Sequence, residues 1–224
     1  MSAVFVTGTG TDVGKTYVTA ALIRHFRSAR RAVEAFKPVA SGFTGAQGSD
    51  PAALLAALGR DFGIEEIERI TPWRFAAPLS PDLAAAREGR CLDFGALLDF
   101  SRRAAAAHGL ALIEGVGGIM VPLDETRTVL DWMTQLRAPV LLVAGSYLGT
   151  ISHTLTALDV LIQRNLQIAA VAVSESEISG APLDETVATI ARFSRPIEVA
   201  GVPRGACADH PAICRIAALL SAVL

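Results

Sequence analysis

The chain has 224 residues, 51% of them hydrophobic and 19% charged, with a formal net charge of −2 and a sequence pI near 6.1. This balance allows one sizeable apolar core but supplies no basic face or stripe of the kind that phosphate-backbone binding needs, so nucleic acid is not expected as a partner. Aromatics make up only 6%, so the core is expected to be built from Ala, Val, Leu and Ile.

Ser2-Ala3-Val4 runs directly into an apolar segment with no room for a signal peptide, and later apolar runs are too short and interrupted to cross a bilayer. A cytoplasmic protein without a membrane partner is expected. The three cysteines, Cys91, Cys207 and Cys214, are odd in number and widely spaced. That argues against a disulfide framework or zinc site and for small buried hydrophobes.

The first element is the most informative. Val4–Thr7 reads as a buried strand, Gly8-Thr-Gly-Thr-Asp-Val-Gly14 as a glycine-rich turn, and Lys15-Thr16 as the opening of a helix that continues to about Ser28. Strand, turn and helix in that order make a phosphate cradle. Backbone N–H groups face an anion, the helix presents its positive end, Lys15 adds a full charge, and the Thr16 hydroxyl is placed to ligate Mg²⁺. The usual spacing wants glycine at position 9; here Thr9 stands there and the glycine is Gly8, so the loop is one residue longer.

Val33–Phe36 is a second strand, running into Lys37-Pro38 and Ser41-Gly42. Pro51–Leu58 is a short amphipathic helix, and Asp50 beside Ser49 fits either its N-cap or a metal carboxylate. Gly63–Pro72 is ambiguous, and Pro72, Pro78 and Pro81 interrupt any regular element there. Asp82–Glu88 and Phe94–His108 read as helices, the second stopped by Gly109. Leu110–Glu114 is a continuous apolar strand ending in a carboxylate and followed by Gly115-Val-Gly-Gly118. Then come helix Thr128–Leu136, strand Pro139–Ala144, helix Thr150–Asn165 and strand Ile168–Val173. Helix Leu183–Phe193, strand Ile197–Val202 and helix His210–Val223 complete the series.

Apolar strands without alternation imply a sheet buried on both faces. Strand–helix alternation then predicts one α/β domain over residues 1–224, a doubly wound, mostly parallel sheet with helices on both faces, of the P-loop NTPase type. Ligands of such sheets sit beyond the carboxyl ends of the strands. Lys37, Ser41, Glu114, Gly117 and Gly145 all come just after strand ends. Glu114 occupies the place of a second acidic residue near Mg²⁺ in nucleotide hydrolases, and a lysine at position 37 suits charge building on a transferring phosphoryl group. Asp131-Trp132 inside a helix reads as packing.

On Gly8–Thr16, Lys37-Pro-Val-Ala-Ser-Gly42, Ser49-Asp50, Ser80-Pro81, Glu114–Gly118, Asp131-Trp132 and Leu148-Gly149, the chain resembles the dethiobiotin synthetase family over nearly its whole length. The resemblance implies an ATP-dependent cyclo-ligase in which diaminopelargonate, CO₂ and ATP become dethiobiotin, ADP and phosphate through a carbamate and a mixed anhydride. It implies Lys37, Lys15 and Thr11 as catalytic residues, and Thr16, Asp50 and Glu114 as ligands of Mg²⁺. Asp12, Val13, Gly14, Lys15, Thr16, Tyr17, Ser174 and Pro203 would contact the nucleotide. Substrate contacts would come from Ser41, Gly117, Gly118, Leu148, Gly149, Thr150 and Ser152. The family's homodimer implies a site at the subunit interface, with the Leu148–Ile151 helix start receiving the substrate carboxylate of the other subunit.

Three positions depart from the family pattern: Ser174 stands for a base-reading asparagine, Ser152 for asparagine, and Asp82 for histidine. None touches the phosphoryl machinery. A nucleotide switch of the partition-ATPase type would want basic surface helices and a lysine early in the loop, where Thr9-Gly10-Thr11 stands. A larger amidoligase usually appends a glutaminase domain, and this chain ends at Leu224 without one. On this reading Lys37→Ala is expected to remove nearly all turnover and leave the fold intact.

Overall fold

The structure is a computed structural model that describes residues 2–106, 108–177 and 180–224. Its centre is β1 (Ala3–Gly8), all six residues of which are buried. Successive strand residues point to opposite faces, so unbroken burial means that both faces of the sheet are covered. The same holds for β5 (Leu110–Glu114) and β6 (Val140–Gly145).

With β2 (Val33–Phe36), β7 (Ile168–Ser174) and β8 (Val199–Val202), these strands form a six-stranded sheet in the order β2-β5-β1-β6-β7-β8. Every pairing in it is parallel. The chain goes out from β1 to β2, returns to place β5 between them, and crosses β1 to continue through β6. The carboxyl end of β1 is therefore flanked by two strands from different halves of the chain, the position where doubly wound sheets open a crevice.

Helix α1 (Lys15–Ser28) packs on α2 (Asp50–Ala57) and α9 (Pro211–Ala222). Helix α5 (Phe94–Ala105) packs on α6 (Val129–Leu136), and α7 (Thr150–Gln163) on α8 (Leu183–Phe193). Trp132 of α6 packs as expected. It is fully buried, meets the Phe5 ring edge-on at 4.7 Å, and donates its indole N–H to Ser101 Oγ at 2.9 Å. Asp131 closes a capping box, accepting from the Thr128 N–H and hydroxyl at 2.8 Å each.

The long elements agree with the sequence expectations to within two residues, α5 excepted. The ambiguous stretch contains α3 (Ile64–Ile70) and leads into β4 (Trp73–Phe75), which pairs in parallel with β3 (Val39–Ser41) as a separate two-stranded sheet. The proline-rich segment then enters α4 (Pro81–Arg87).

Two expectations are corrected. Helix α5 ends at Ala105 with Ala106 as its cap, position 107 lying outside the described residues. Gly109 is instead needed at the entry to β5, where φ is +89° and a Cβ would lie 2.5 Å from Ala32 O. The cysteines are not core residues: Cys91 and Cys207 are exposed and Cys214 is half-buried. Cys207 and Cys214 meet the polar Asp209 rather than apolar neighbours, their thiols donating to Asp209 Oδ1 at 2.7 Å and Asp209 O at 3.4 Å.

Candidate active site

The glycine-rich loop leaves β1 and enters α1 through two left-handed residues, Asp12 at φ 56° and Gly14 at φ 90°. Gly14 is required twice over. Its φ is strained for other residues, and a Cβ would lie 2.4 Å from Ser174 Oγ at the end of β7. Lys15 is buried and folds back along the loop, its Nζ donating to Gly10 O at 2.7 Å. Burial and then the neighbouring Lys37 push its pKa down to about 8, against the pull of Glu114, Asp50 and Asp12.

Next to the loop, three elements converge on one cation. Lys37, at the exit of β2, has its side chain 3% exposed, and Glu114, at the end of β5, 0%. Lys37 Nζ donates to Glu114 Oε1 at 2.7 Å and Gly115 O at 3.1 Å, and pairs with Asp50 Oδ2 at 3.0 Å. Burial opposes the charge on Lys37, but the carboxylates of Glu114 and Asp50 outweigh it and hold the ammonium above the usual lysine value. The Asp50 carboxyl is likewise opposed by burial, but Lys37 and then the Thr16 hydroxyl carry it below the usual range.

Asp50 is not the N-cap of α2. Ser49 is the N-cap of α2, accepting from Ala52 N–H at 3.4 Å, and Asp50 in the first turn turns to Lys37. Thr16 joins the same group, its hydroxyl donating to Glu114 Oε1 at 2.7 Å, while Glu114 Oε2 is buried with no protein partner.

Lys15, Thr16, Lys37 and Asp50 line a cavity of about 690 Å³ that also takes in Thr11, Asp12, Gly14, Ser41 and Gly117, with Glu114 buried behind Lys37. Ser41 Oγ is buried there without a protein partner. Gly118 lies close against the loop, where a Cβ would be 3.1 Å from Thr9 O. The far wall is Pro78, Leu79, Ser80 and Pro81 with Val116 and Val121. Only the Ser80-Pro81 pair and the glycine-flanked Val116 stood in the sequence motifs; the apolar side chains between them carried no signal.

A second cavity of about 300 Å³ lies on the other side of the same loop, sharing Asp12, Gly14 and Tyr17 with the first and adding Val13, Ser174 and Glu175. Pro203 borders this side through its carbonyl, which accepts from the Tyr17 hydroxyl at 3.1 Å.

Comparison with known proteins places the chain in a family. A family model described as an AAA domain matches residues 2–207. The chain is 49% identical over 213 residues to the ATP-dependent dethiobiotin synthetase BioD of Methylobacterium nodulans, covering 92% of this chain and 94% of the relative. The chain belongs to the dethiobiotin synthetase family.

Among solved structures, the MinC:MinD cell division protein complex of Aquifex aeolicus matches with a TM-score of 0.59 at 11% identity, covering 99% of this chain and 95% of that one. The signal recognition particle receptor FtsY of Elizabethkingia anophelis matches with a TM-score of 0.50 at 16% identity, covering 99% of this chain and 64% of that one. At these identities the likeness concerns the fold alone.

In this dethiobiotin synthetase family member, the residues expected at a substrate tail lie at the start of α7 and outside the lining of the large cavity. Leu148 is 88% exposed. Gly149 takes φ 98°, and Ser152 is exposed. Thr150 is buried and already engaged, its hydroxyl donating to Gly145 O at 2.6 Å and its N–H to Tyr147 O at 3.1 Å. No helix is long and apolar enough to cross a membrane among the described residues.

Proposed function

We propose that this chain, as one domain over residues 1–224, catalyses the ATP-dependent carboxylation and ring closure of 7,8-diaminopelargonate to dethiobiotin. The observation that carries the reading is the convergence of Lys37, Glu114, Asp50 and Thr16 beside the extended phosphate loop, with Lys37, Asp50 and Thr16 lining a cavity of about 690 Å³. A nucleotide switch needs the loop and the metal carboxylates. It has no need of a buried lysine held between these carboxylates or of a buried Ser41 hydroxyl without a protein partner.

The triphosphate lies along the N–H groups of residues 10–16 at the amino end of α1, with Lys15 beside it. Thr16, Asp50 and Glu114 fit Mg²⁺, being hard oxygen donors with one buried carboxylate oxygen, Glu114 Oε2, that lacks a protein partner. No group of three or more His, Cys, Asp or Glu suited to a metal occurs among the described residues, and Mg²⁺ characteristically takes one or two carboxylates together with substrate phosphates. When bound, the ion supplies charge neutralisation at the phosphate oxygens.

One amine of the diamine attacks CO₂ and loses a proton, giving a carbamate. A carbamate oxygen takes the γ-phosphoryl group and ADP leaves. The second amine then attacks the carbamoyl carbon, phosphate departs, and the ureido ring closes. The Lys37 ammonium stabilises the carbamate and the charge on the transferring group, with Lys15 on the phosphate side. Thr11 and Ser41 orient the carbamate and the diamine, and Gly117 allows close approach. The exposed start of α7, with Leu148, Gly149 and Ser152, receives the substrate carboxylate of a second copy's site, which makes the working form a homodimer. A cytoplasmic setting accords with consumption of ATP.

The test is incubation with diaminopelargonate, labelled bicarbonate and Mg²⁺-ATP. Label entering product only when the diamine is present supports the reading. ATP hydrolysis indifferent to the diamine, with no label fixed, overturns it.

A further inference from the structure

Two turns lead the chain from β8 to α9 and bring two thiols to one residue. Ala206 N–H donates to Pro203 O at 3.2 Å, and His210 N–H to Cys207 O at 3.1 Å. One helical turn on, Cys214 N–H donates to His210 O at 3.0 Å. Such turns hold their ends within about 7 Å, so Cys207 and Cys214 come near each other across the loop. The Cys207 thiol donates to Asp209 Oδ1 at 2.7 Å and the Cys214 thiol to Asp209 O at 3.4 Å. Cys207 is exposed and Cys214 half-buried, so a small oxidant can reach both.

Helix α1 holds this loop at two points. His25 Nδ1 lies 2.8 Å from Ala208 O and 3.9 Å from Cys214 Sγ. A carbonyl only accepts, so Nδ1 carries the proton and presents an N–H to the sulfur. The Tyr17 hydroxyl donates between Pro203 O at 3.1 Å and Ala206 O at 3.2 Å. Tyr17 also lines both cavities beside the phosphate loop. The thiol pair and the phosphate loop are thus joined through one helix.

We propose that Cys207 and Cys214 are a modification site, which a hydroperoxide converts reversibly to a disulfide, and that closing the bridge weakens nucleotide binding. The bridge rests on the thiol geometry; its effect rests on the nucleotide reading above. The Cys214 sulfur attacks one peroxide oxygen, the O–O bond breaks, and water leaves with the thiol proton. A sulfenic acid remains. The Cys207 sulfur then attacks that sulfur, its proton passes by way of Asp209 Oδ1 to the departing hydroxide, and the S–S bond forms. Two thiols and one hydrogen peroxide give one disulfide and two waters. Cys207 leaves Asp209 to reach Cys214, which draws the adjoining Ala206 carbonyl away from Tyr17.

The test treats the full chain with hydrogen peroxide, alkylates the remaining thiols and maps the digest by mass spectrometry, before and after dithiothreitol. A Cys207–Cys214 bridge that dithiothreitol reopens is expected, with Cys91, on the loop between α4 and α5, still alkylated. ADP with Mg²⁺, titrated by calorimetry, is expected to bind the bridged protein about tenfold more weakly than the reduced protein. Cys207→Ser is expected to bind ADP equally before and after peroxide, which also shows that the variant folds. Bridging through Cys91, oxidation of single thiols without a bridge, or equal ADP affinity of the bridged and reduced forms overturns the inference. The bridge is judged by mass and the synthetase reading by diamine-dependent label incorporation, so the two can fail independently.

Discussion

The Lys37 ammonium and the Thr16 hydroxyl donate to the same oxygen, Glu114 Oε1, each at 2.7 Å. One carboxylate oxygen thus ties the exit of β2 to the amino end of α1. The group proposed to stabilise the transferring phosphoryl and the group proposed to face Mg²⁺ are held on one residue whose side chain is 0% exposed.

Lys37→Ala removes more than the charge proposed to act on the phosphoryl group. It leaves Glu114 buried without its cation, which costs about 3–5 kcal/mol when one partner of a buried pair is removed. The fold is still expected to form, at reduced stability. Urea unfolding of Lys37→Ala is expected to show this loss, and synthesis to fall by about two to three orders of magnitude. The double variant Lys37→Met/Glu114→Gln is expected to regain most of the stability and none of the turnover.

Gly14→Ala places a Cβ 2.4 Å from Ser174 Oγ at φ 90°. Strain of about 1–3 kcal/mol is expected from the backbone alone, with weakened nucleotide binding. Adding Ser174→Gly removes the collision and leaves the strain, so thermal unfolding of the double variant should fall between the single variant and the unaltered protein.

Asp50 has its side chain 52% exposed, so its pair with Lys37 contributes little to stability. Asp50→Asn is expected to change unfolding by no more than about 1 kcal/mol. The Mg²⁺ concentration for half-maximal synthesis should rise about tenfold or more, since one charge of the ligand set is gone. A Mg²⁺ titration of activity beside an unfolding curve separates the two effects.

The capping carboxylate of α6 gives a pH signature. Burial opposes ionisation of Asp131, but the bonds from Thr128 outweigh it and hold the group below its usual 3.8. A depressed carboxylate stabilises the folded form above its unfolded pKa and loses that contribution as pH falls through the folded value. Asp131→Ala is expected to cost about 1 kcal/mol at neutral pH, and the difference should shrink as the pH is lowered below 3.8. Paired unfolding curves across that range check it.

Much of the candidate site was legible from two signals. Lys15 and Thr16 followed from the glycine-rich turn, while Lys37 and Glu114 stand at exits of strands that the parallel sheet brings to one edge. What escaped was contact between distant segments. Asp50 fitted either a cap or a metal carboxylate, and only the approach of α2 to β2 shows its pairing with Lys37. The strands Val39–Ser41 and Trp73–Phe75 are too short to display a period. The wall from Pro78 to Pro81 is apolar and lacks the chemical signature that polar residues carry. The cysteines were misplaced because residue type sets an average burial, while the loop before α9 holds Cys207 at the surface.

The ladder between β2 and β5 matches Phe36 with Ile113, so the next rung sets Lys37 beside Glu114. A slip of one rung would turn every side chain of β2 to the opposite face and carry the lysine away from its carboxylate. Synthesis can therefore serve as a gauge of correct strand alignment. A refolding chain that has collapsed with β2 out of step would bury the same apolar strands and still be catalytically silent, so recovery of turnover should trail recovery of compactness whenever misaligned forms accumulate.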